Sequence, residues 1–133
     1  MTGYSKRASL CFNAAEESIK CNDADLIAVA AHIIVEGIRY LLYSELYGDC
    51  FLPLFGNDIK SLFDTYEARH QGDDTMMFLL KPHLTLLSTY ESYDIEVNYD
   101  VRTLRKLISI GRNIVCDAPI QYVPTQPLAI SYC

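Results

Sequence analysis

The chain has 133 residues, of which half are hydrophobic and 21% are charged. That composition excludes a disordered chain and fits one domain with a buried core. Eleven Lys and Arg stand against 17 Asp and Glu, a net charge of −6, which argues against a globally basic nucleic-acid binder but leaves room for a local basic patch.

The first predicted element is an amphipathic helix of about four turns. Ala8, Cys11, Phe12, Ala15 and Ile19 share one face, and Lys6, Ser9, Asn13, Glu16, Glu17 and Lys20 share the other. This charged N-terminal stretch has no apolar signal-peptide core. Asn22-Asp23 supplies a turn and a cap for the next helix. That second helix spans about Ala24 to Tyr47 and is apolar around most of its circumference, which predicts a place in the middle of a bundle. Its longest apolar run, Leu26 to Val35, falls short of the roughly 20 residues a membrane span needs. The expectation is a cytoplasmic protein with no membrane partner.

Cys50 to Gly56 reads as a connection broken by Pro53. Asn57-Asp58 caps a short third helix with Ile59, Leu62, Phe63 and Tyr66 on its buried face, and a polar loop follows from Arg69 to Asp74. A fourth helix covers about Thr75 to Tyr93, kinked or restarted at Pro82. A fifth runs from about Tyr99 to Val115, with Arg102, Arg105, Lys106 and Arg112 opposite its apolar side. Pro119, Pro124 and Pro127 keep the uncharged tail extended. The fold expected is all-α: an up-and-down bundle of four to five antiparallel helices over residues 1–118, with an extended C-terminal tail over 119–133.

Motifs for chemistry are few. The five cysteines, Cys11, Cys21, Cys50, Cys116 and Cys133, include no CxxC pair, so they read mostly as small core fillers rather than a disulfide or zinc framework. The three histidines, His32, His70 and His83, show no metal-ligand spacing. No Gly-rich phosphate loop is present, and neither metal nor cofactor is expected.

Two side-chain patterns remain. His32, Glu36, Arg39 and Tyr43 form one polar stripe on the apolar second helix. The stripe reads as a satisfied polar seam or solvent face, as a polar pocket for a ligand, or as a dimer seam. On the last helix, four of the eleven basic residues fall within eleven positions. Arg102, Arg105 and Arg112 share a face that suits phosphates, or one that pairs in solvent with Asp94, Glu96 or Asp100.

The order of these pieces resembles the HEPN domain family, the higher-eukaryote and prokaryote nucleotide-binding bundle. The resemblance runs from about Ser5 to Asp117. It rests on the Asn22-Asp23-Ala24-Asp25-Leu26 turn, the apolar helix with Glu36 and a following basic residue, Asn57 to Leu62, and Tyr90-Glu91-Ser92-Tyr93 before the final helix. It implies a helical bundle that pairs as a homodimer, associates with a nucleotidyltransferase-type partner and meets a nucleotide or RNA. Catalytic members are metal-independent ribonucleases that place a histidine a few residues after an arginine near the last helix. Here Arg112-Asn113 opens that motif, but Asp117, Ala118 and Pro119 occupy the histidine positions. In the second helix the basic residue follows Glu36 by three places, where the family more commonly has four.

The expected function is therefore a non-catalytic binding or regulatory module, with no catalytic residue and Arg102, Arg105, Arg112 and Asn113 as the phosphate-contacting set. The alternatives are a divergent ribonuclease in which His70 or His83 serves Arg112, and a structural assembly protein that uses its tail.

Overall fold

Three aspartates set where helices begin. In a computed structural model of the protein, which describes residues 3–47, 58–69, 75–92 and 98–120, helix α1 (Gly3–Lys20) is followed by α2 (Ala24–Tyr47). Asn22 takes a left-handed conformation at φ 53° and donates its N–H to the Ile19 carbonyl. That geometry closes a helix C-terminus, and asparagine tolerates it better than most residues. Asp23 then caps α2 through Oδ1, accepting from Asp25 N at 2.8 Å and Leu26 N at 3.2 Å. Asp58 caps α3 (Ile59–Arg69) by accepting from Ser61 N at 2.7 Å. Asp100 caps α6 (Val101–Ile120) by accepting from Arg102 N at 3.2 Å and Thr103 Oγ1 at 2.9 Å. Between them, α4 (Thr75–Leu80) and α5 (Leu84–Glu91) are joined by a 3-10 turn, Lys81–His83. Pro82 lies in that turn and accounts for the break, since it lacks the N–H that would continue an α-helix.

Among the described residues all regular structure is helical, an all-α bundle as predicted. Helix α2 is its centre and packs against α1, α3, α5 and α6. α1 runs antiparallel to it. Tyr4 near the start of α1 lies 5.9 Å from Tyr40 and 5.5 Å from Tyr43 between ring centroids, and Ser5 Oγ meets Ser44 Oγ at 3.0 Å. The predicted buried faces of α1 and α3 are largely observed, with Ala8, Phe12, Ala15, Ile19, Ile59, Leu62, Phe63 and Tyr66 all buried.

Four expectations change. Helix α6 extends past Val115 to Ile120 and takes in Pro119, so the extended tail expected from 119 does not begin there; Cys116, Asp117 and Ala118 carry no breaker. The first turns of α2 are not enclosed: Leu26 is 38% and Val29 45% exposed. The polar contacts from α5 and α3 meet α2 farther along, at Arg39 and at the Leu46 carbonyl. Cys21 is exposed rather than a core filler, whereas Cys11 is half-buried. Finally, the whole of α2 is a longer apolar element than the run within it. Ala24–Leu46 has mean hydropathy 1.6 and is long enough to cross a membrane by length and composition, although half of that window is buried in the bundle, as in a core helix. The connection at 50–56, the loop at 70–74 and the tail from 121 lie outside the described residues.

The tightest packing joins three helices. The Phe12 ring of α1 is fully buried and fills the notch made by Gly37 of α2 and Gly111 of α6. A Cβ on Gly37 would stand 2.8 Å from Phe12 Cε1, and one on Gly111 would stand 2.6 Å from Cε2 and 2.7 Å from Cε1. In an open helix Gly→Ala gains about 1 kcal/mol. Here the ring is enclosed, so the clash dominates. Gly111→Ala is expected to lower stability by about 1–3 kcal/mol, read from urea unfolding. Phe12→Leu in that background should recover part of the loss. A Gly111→Ala protein as stable as the parent would show that the ring is free to move.

Candidate functional site

The polar stripe of α2 divides in two. Arg39 is its hub. Its Nη2 donates to the Tyr43 hydroxyl at 3.2 Å, and its Nη1 lies 3.5 Å from Glu36 Oε2 and 3.9 Å from Glu91 Oε2. Its guanidinium carbon also stands 6.0 Å from the centre of the Tyr43 ring. Burial opposes the charge, but the Tyr43 phenol, Glu36 and Glu91 outweigh it and raise the Arg39 pKa. Glu91 does more than pair: both its carboxylate oxygens accept from Ile59 N, at 3.2 and 3.1 Å, at the first residue of α3. The helix dipole favours a carboxylate there. Arg39 thus ties α2 to α5, and Glu91 ties α5 to α3.

His32 makes an aromatic contact. Its ring meets Tyr99 edge-on at 6.3 Å, and Tyr99 in turn lies 5.3 Å from Tyr90. Of the four predicted residues, Glu36, Arg39 and Tyr43 join an inter-helix seam, and His32 makes an aromatic contact with Tyr99. Glu91 was missed because its distance in sequence from the stripe hides the pairing. Replacing either Arg39 or Glu91 by alanine should cost about 1–3 kcal/mol. The double variant should cost less than the sum of the two in a mutant cycle. Strict additivity would show that the two do not interact.

The basic face of α6 is the second site. Arg105, Ile108, Ser109, Arg112 and Asn113 of α6, with Glu16 of α1, line an open cleft of about 320 Å³. Arg105 and Asn113 are exposed, and Arg112 is about two-fifths exposed. Arg112 Nη2 is held from α1 by Glu16 Oε2 at 2.5 Å and by Asn13 Oδ1 at 2.8 Å. The hydrogen bond from Arg112, followed by its charge, keeps the Glu16 carboxyl below the ordinary range, with smaller contributions from Lys20 and Arg105. Three of the four predicted phosphate-contacting residues share this cleft. Arg102 is exposed on the same helix but does not line it. Arg112 pairs with α1, and Asp100 caps α6; Asp94 and Glu96, the other partners foreseen for the stripe, lie outside the described residues. Asn13 and Glu16 were legible only as part of the polar face of α1.

His83 faces elsewhere. Burial first, and then the charge of Lys106, lower its pKa, and it is not among the residues lining the cleft. His70 lies outside the described residues. Burial and then Glu36 push the Cys11 thiol up to about 11, so it stays protonated and unreactive near neutral pH. Among the described residues no three His, Cys, Asp or Glu side chains are grouped to hold a metal ion. No protein-family model, curated protein or solved structure matches the chain.

The two lowered carboxyls make stability pH-dependent. Hydrogen bonds from Ser61 hold Asp58 below its ordinary value of 3.8, and Arg112 holds Glu16 below 4.5. Groups depressed in this way stabilise the fold fully above those ordinary values, and the contribution is lost as pH falls through the lower folded ones. Between about pH 5 and 3 the parent should therefore lose more stability than an Asp58→Asn, Glu16→Gln double variant. Equal losses in denaturant titrations at the two pH values would contradict the assignment.

Proposed function

We propose that this protein is a non-catalytic binding and regulatory module of the HEPN type. It works in the cytoplasm as a homodimer and associates with a nucleotidyltransferase-type partner. Its binding face is the α6 cleft, which takes a phosphate group of a nucleotide or RNA. The observation that supports this reading most is the juxtaposition of Arg105, Ser109, Arg112 and Asn113 around one open cleft. Two guanidinium groups and two small polar side chains offer the donors that phosphate oxygens accept. The non-catalytic part rests on the sequence after Arg112, where Asp117, Ala118 and Pro119 stand in place of a histidine. An ionised aspartate there repels phosphate and gives no acid near neutral pH. The position of His83 beside Lys106 lends no support to a relocated histidine.

A second reading has one specific observation in its favour. Arg112 bridges α6 to Asn13 and Glu16 of α1, so it also serves as a clamp within the bundle. The two roles separate experimentally. If Arg112 contacts phosphate, Arg112→Ala should weaken binding of a short single-stranded RNA by about tenfold, while light scattering of the parent should give the mass of a dimer. If it is only a clamp, the substitution should lower stability and leave RNA binding unchanged. Metal-free RNA cleavage that Arg112→Ala abolishes would overturn the non-catalytic assignment.

A further inference from the structure

We infer that Glu16 is a built-in competitor for the phosphate site, so that the α6 cleft selects a terminal phosphomonoester over an internal phosphodiester. This inference rests on the reading of the cleft as a phosphate site and adds the ligand class and the means of control.

The argument starts from what already occupies Arg112. Its Nη2 is engaged by the Glu16 carboxylate and the Asn13 carbonyl oxygen, both from α1. A phosphate that draws Nη2 into a bidentate pair must take Glu16's place. A phosphodiester carries one negative charge, as the carboxylate does, and it also bears the entropic cost of association, which a tethered side chain does not. Charge for charge, the internal carboxylate wins. A terminal phosphate carries close to two negative charges at neutral pH. The cleft supplies two cations to meet them, Arg112 and Arg105.

The rest of the cleft fits that exchange. Ser109 and Asn113 line it and can donate to further phosphate oxygens. Glu16 is about as exposed as Arg112, at 37% against 39%, so it can swing outward without opening the core. Lys20 lies one turn farther along α1, close enough to lower the Glu16 pKa, and provides a cation for the displaced carboxylate. At present Lys20 rests on Glu17 at 3.2 Å, a weak exposed pair that yields readily. The phosphate of a ligand would thereby loosen the α1–α6 contact.

The test uses the full-length protein and two RNA oligonucleotides of one sequence, one with a 5′-phosphate and one with a 5′-hydroxyl. The parent should bind the 5′-phosphate form about tenfold more tightly. Glu16→Gln keeps a hydrogen-bond acceptor for Arg112 but removes the charge, and should tighten that binding by a further factor of about ten. Asn13→Asp adds a second internal carboxylate without loss of size and should weaken it by a similar factor. Inorganic phosphate should compete with the 5′-phosphate form, and more effectively in Glu16→Gln than in the parent. Equal binding of both oligonucleotides, weakened by Arg112→Ala, would overturn the terminal-phosphate inference and leave the phosphate site standing. Glu16→Gln and Asn13→Asp that both bind like the parent would remove the competitor. Binding of neither oligonucleotide by any variant would overturn the inference together with the site itself.

Discussion

The architecture depends on one aromatic ring between two glycines. Phe12 fits its fully buried position because Gly37 and Gly111 both present bare backbone to its ring. Glycine costs a helix about 1 kcal/mol at an interior position, and α2 and α6 each accept that cost where the ring sits. In return α1, α2 and α6 meet at a single point, and the register of all three is set there. One residue along α1 from Phe12 is Asn13, and one residue along α6 from Gly111 is Arg112. The two pair at 2.8 Å. The packing that buries the ring thus also places the guanidinium against α1. A shift of either helix that displaced Phe12 would separate the charged groups as well.

On the other side of α2, charge is added to apolar packing. Arg39 gathers Glu36, Tyr43 and Glu91, and Glu91 passes the connection to the first N–H of α3. A guanidinium so placed would be costly alone, since burial disfavours its charged form. Surrounded by two carboxylates and a phenol it remains protonated. The two sides of the bundle therefore differ in what they can tolerate. The α1–α2–α6 side is close-packed and responds to volume. The α2–α3–α5 side buries Ile59, Leu62, Phe63 and Leu87 as well, and its polar chain adds a sensitivity to the loss of any member. Glu36 belongs to the second side yet raises the Cys11 pKa from the first, so the charge of the seam is felt across α2.

Helix positions and caps were readable because they are local. Asp23 and Asp58 sit just before apolar periodic runs, and each caps a helix through its own side chain; Asp100, read as part of a helix from about Tyr99 and as a solvent ion-pair partner, instead caps a helix that starts at Val101. Pro82 marked the break between α4 and α5 for an equally local reason. What escaped the sequence reading is non-local. Periodicity assigned Asn13 and Glu16 to a polar face but could not say that this face borders α6. Hydropathy made α2 look covered all round, although Leu26 and Val29 remain exposed. Coverage depends on which neighbours reach that end of the helix, and no repeat in one helix encodes its neighbours. The stripe of His32, Glu36, Arg39 and Tyr43 shows both cases. Its spacing put Glu36, Arg39 and Tyr43 within reach of one another, while the contact of His32 with Tyr99, a residue outside α2, is not written in that spacing.

Uneven charge now has a structural meaning. A net charge of −6 describes the molecule as a whole, but at these separations salt screens distant charges and leaves near neighbours in control. Around Arg112 the near neighbours are one carboxylate, one amide and a second guanidinium. The acidic excess therefore enters the cleft through Glu16 rather than through the total. An overall negative field slows the approach of nucleic acid, and Glu16 adds a local competitor at the point of contact. Both effects favour a ligand whose own charge is concentrated in one small group over one whose charge is spread along a backbone. On the proposed reading of the cleft, the same carboxylate that completes the α1–α6 contact sets the threshold an anion must exceed to bind there, which would make stability and recognition two uses of one ion pair.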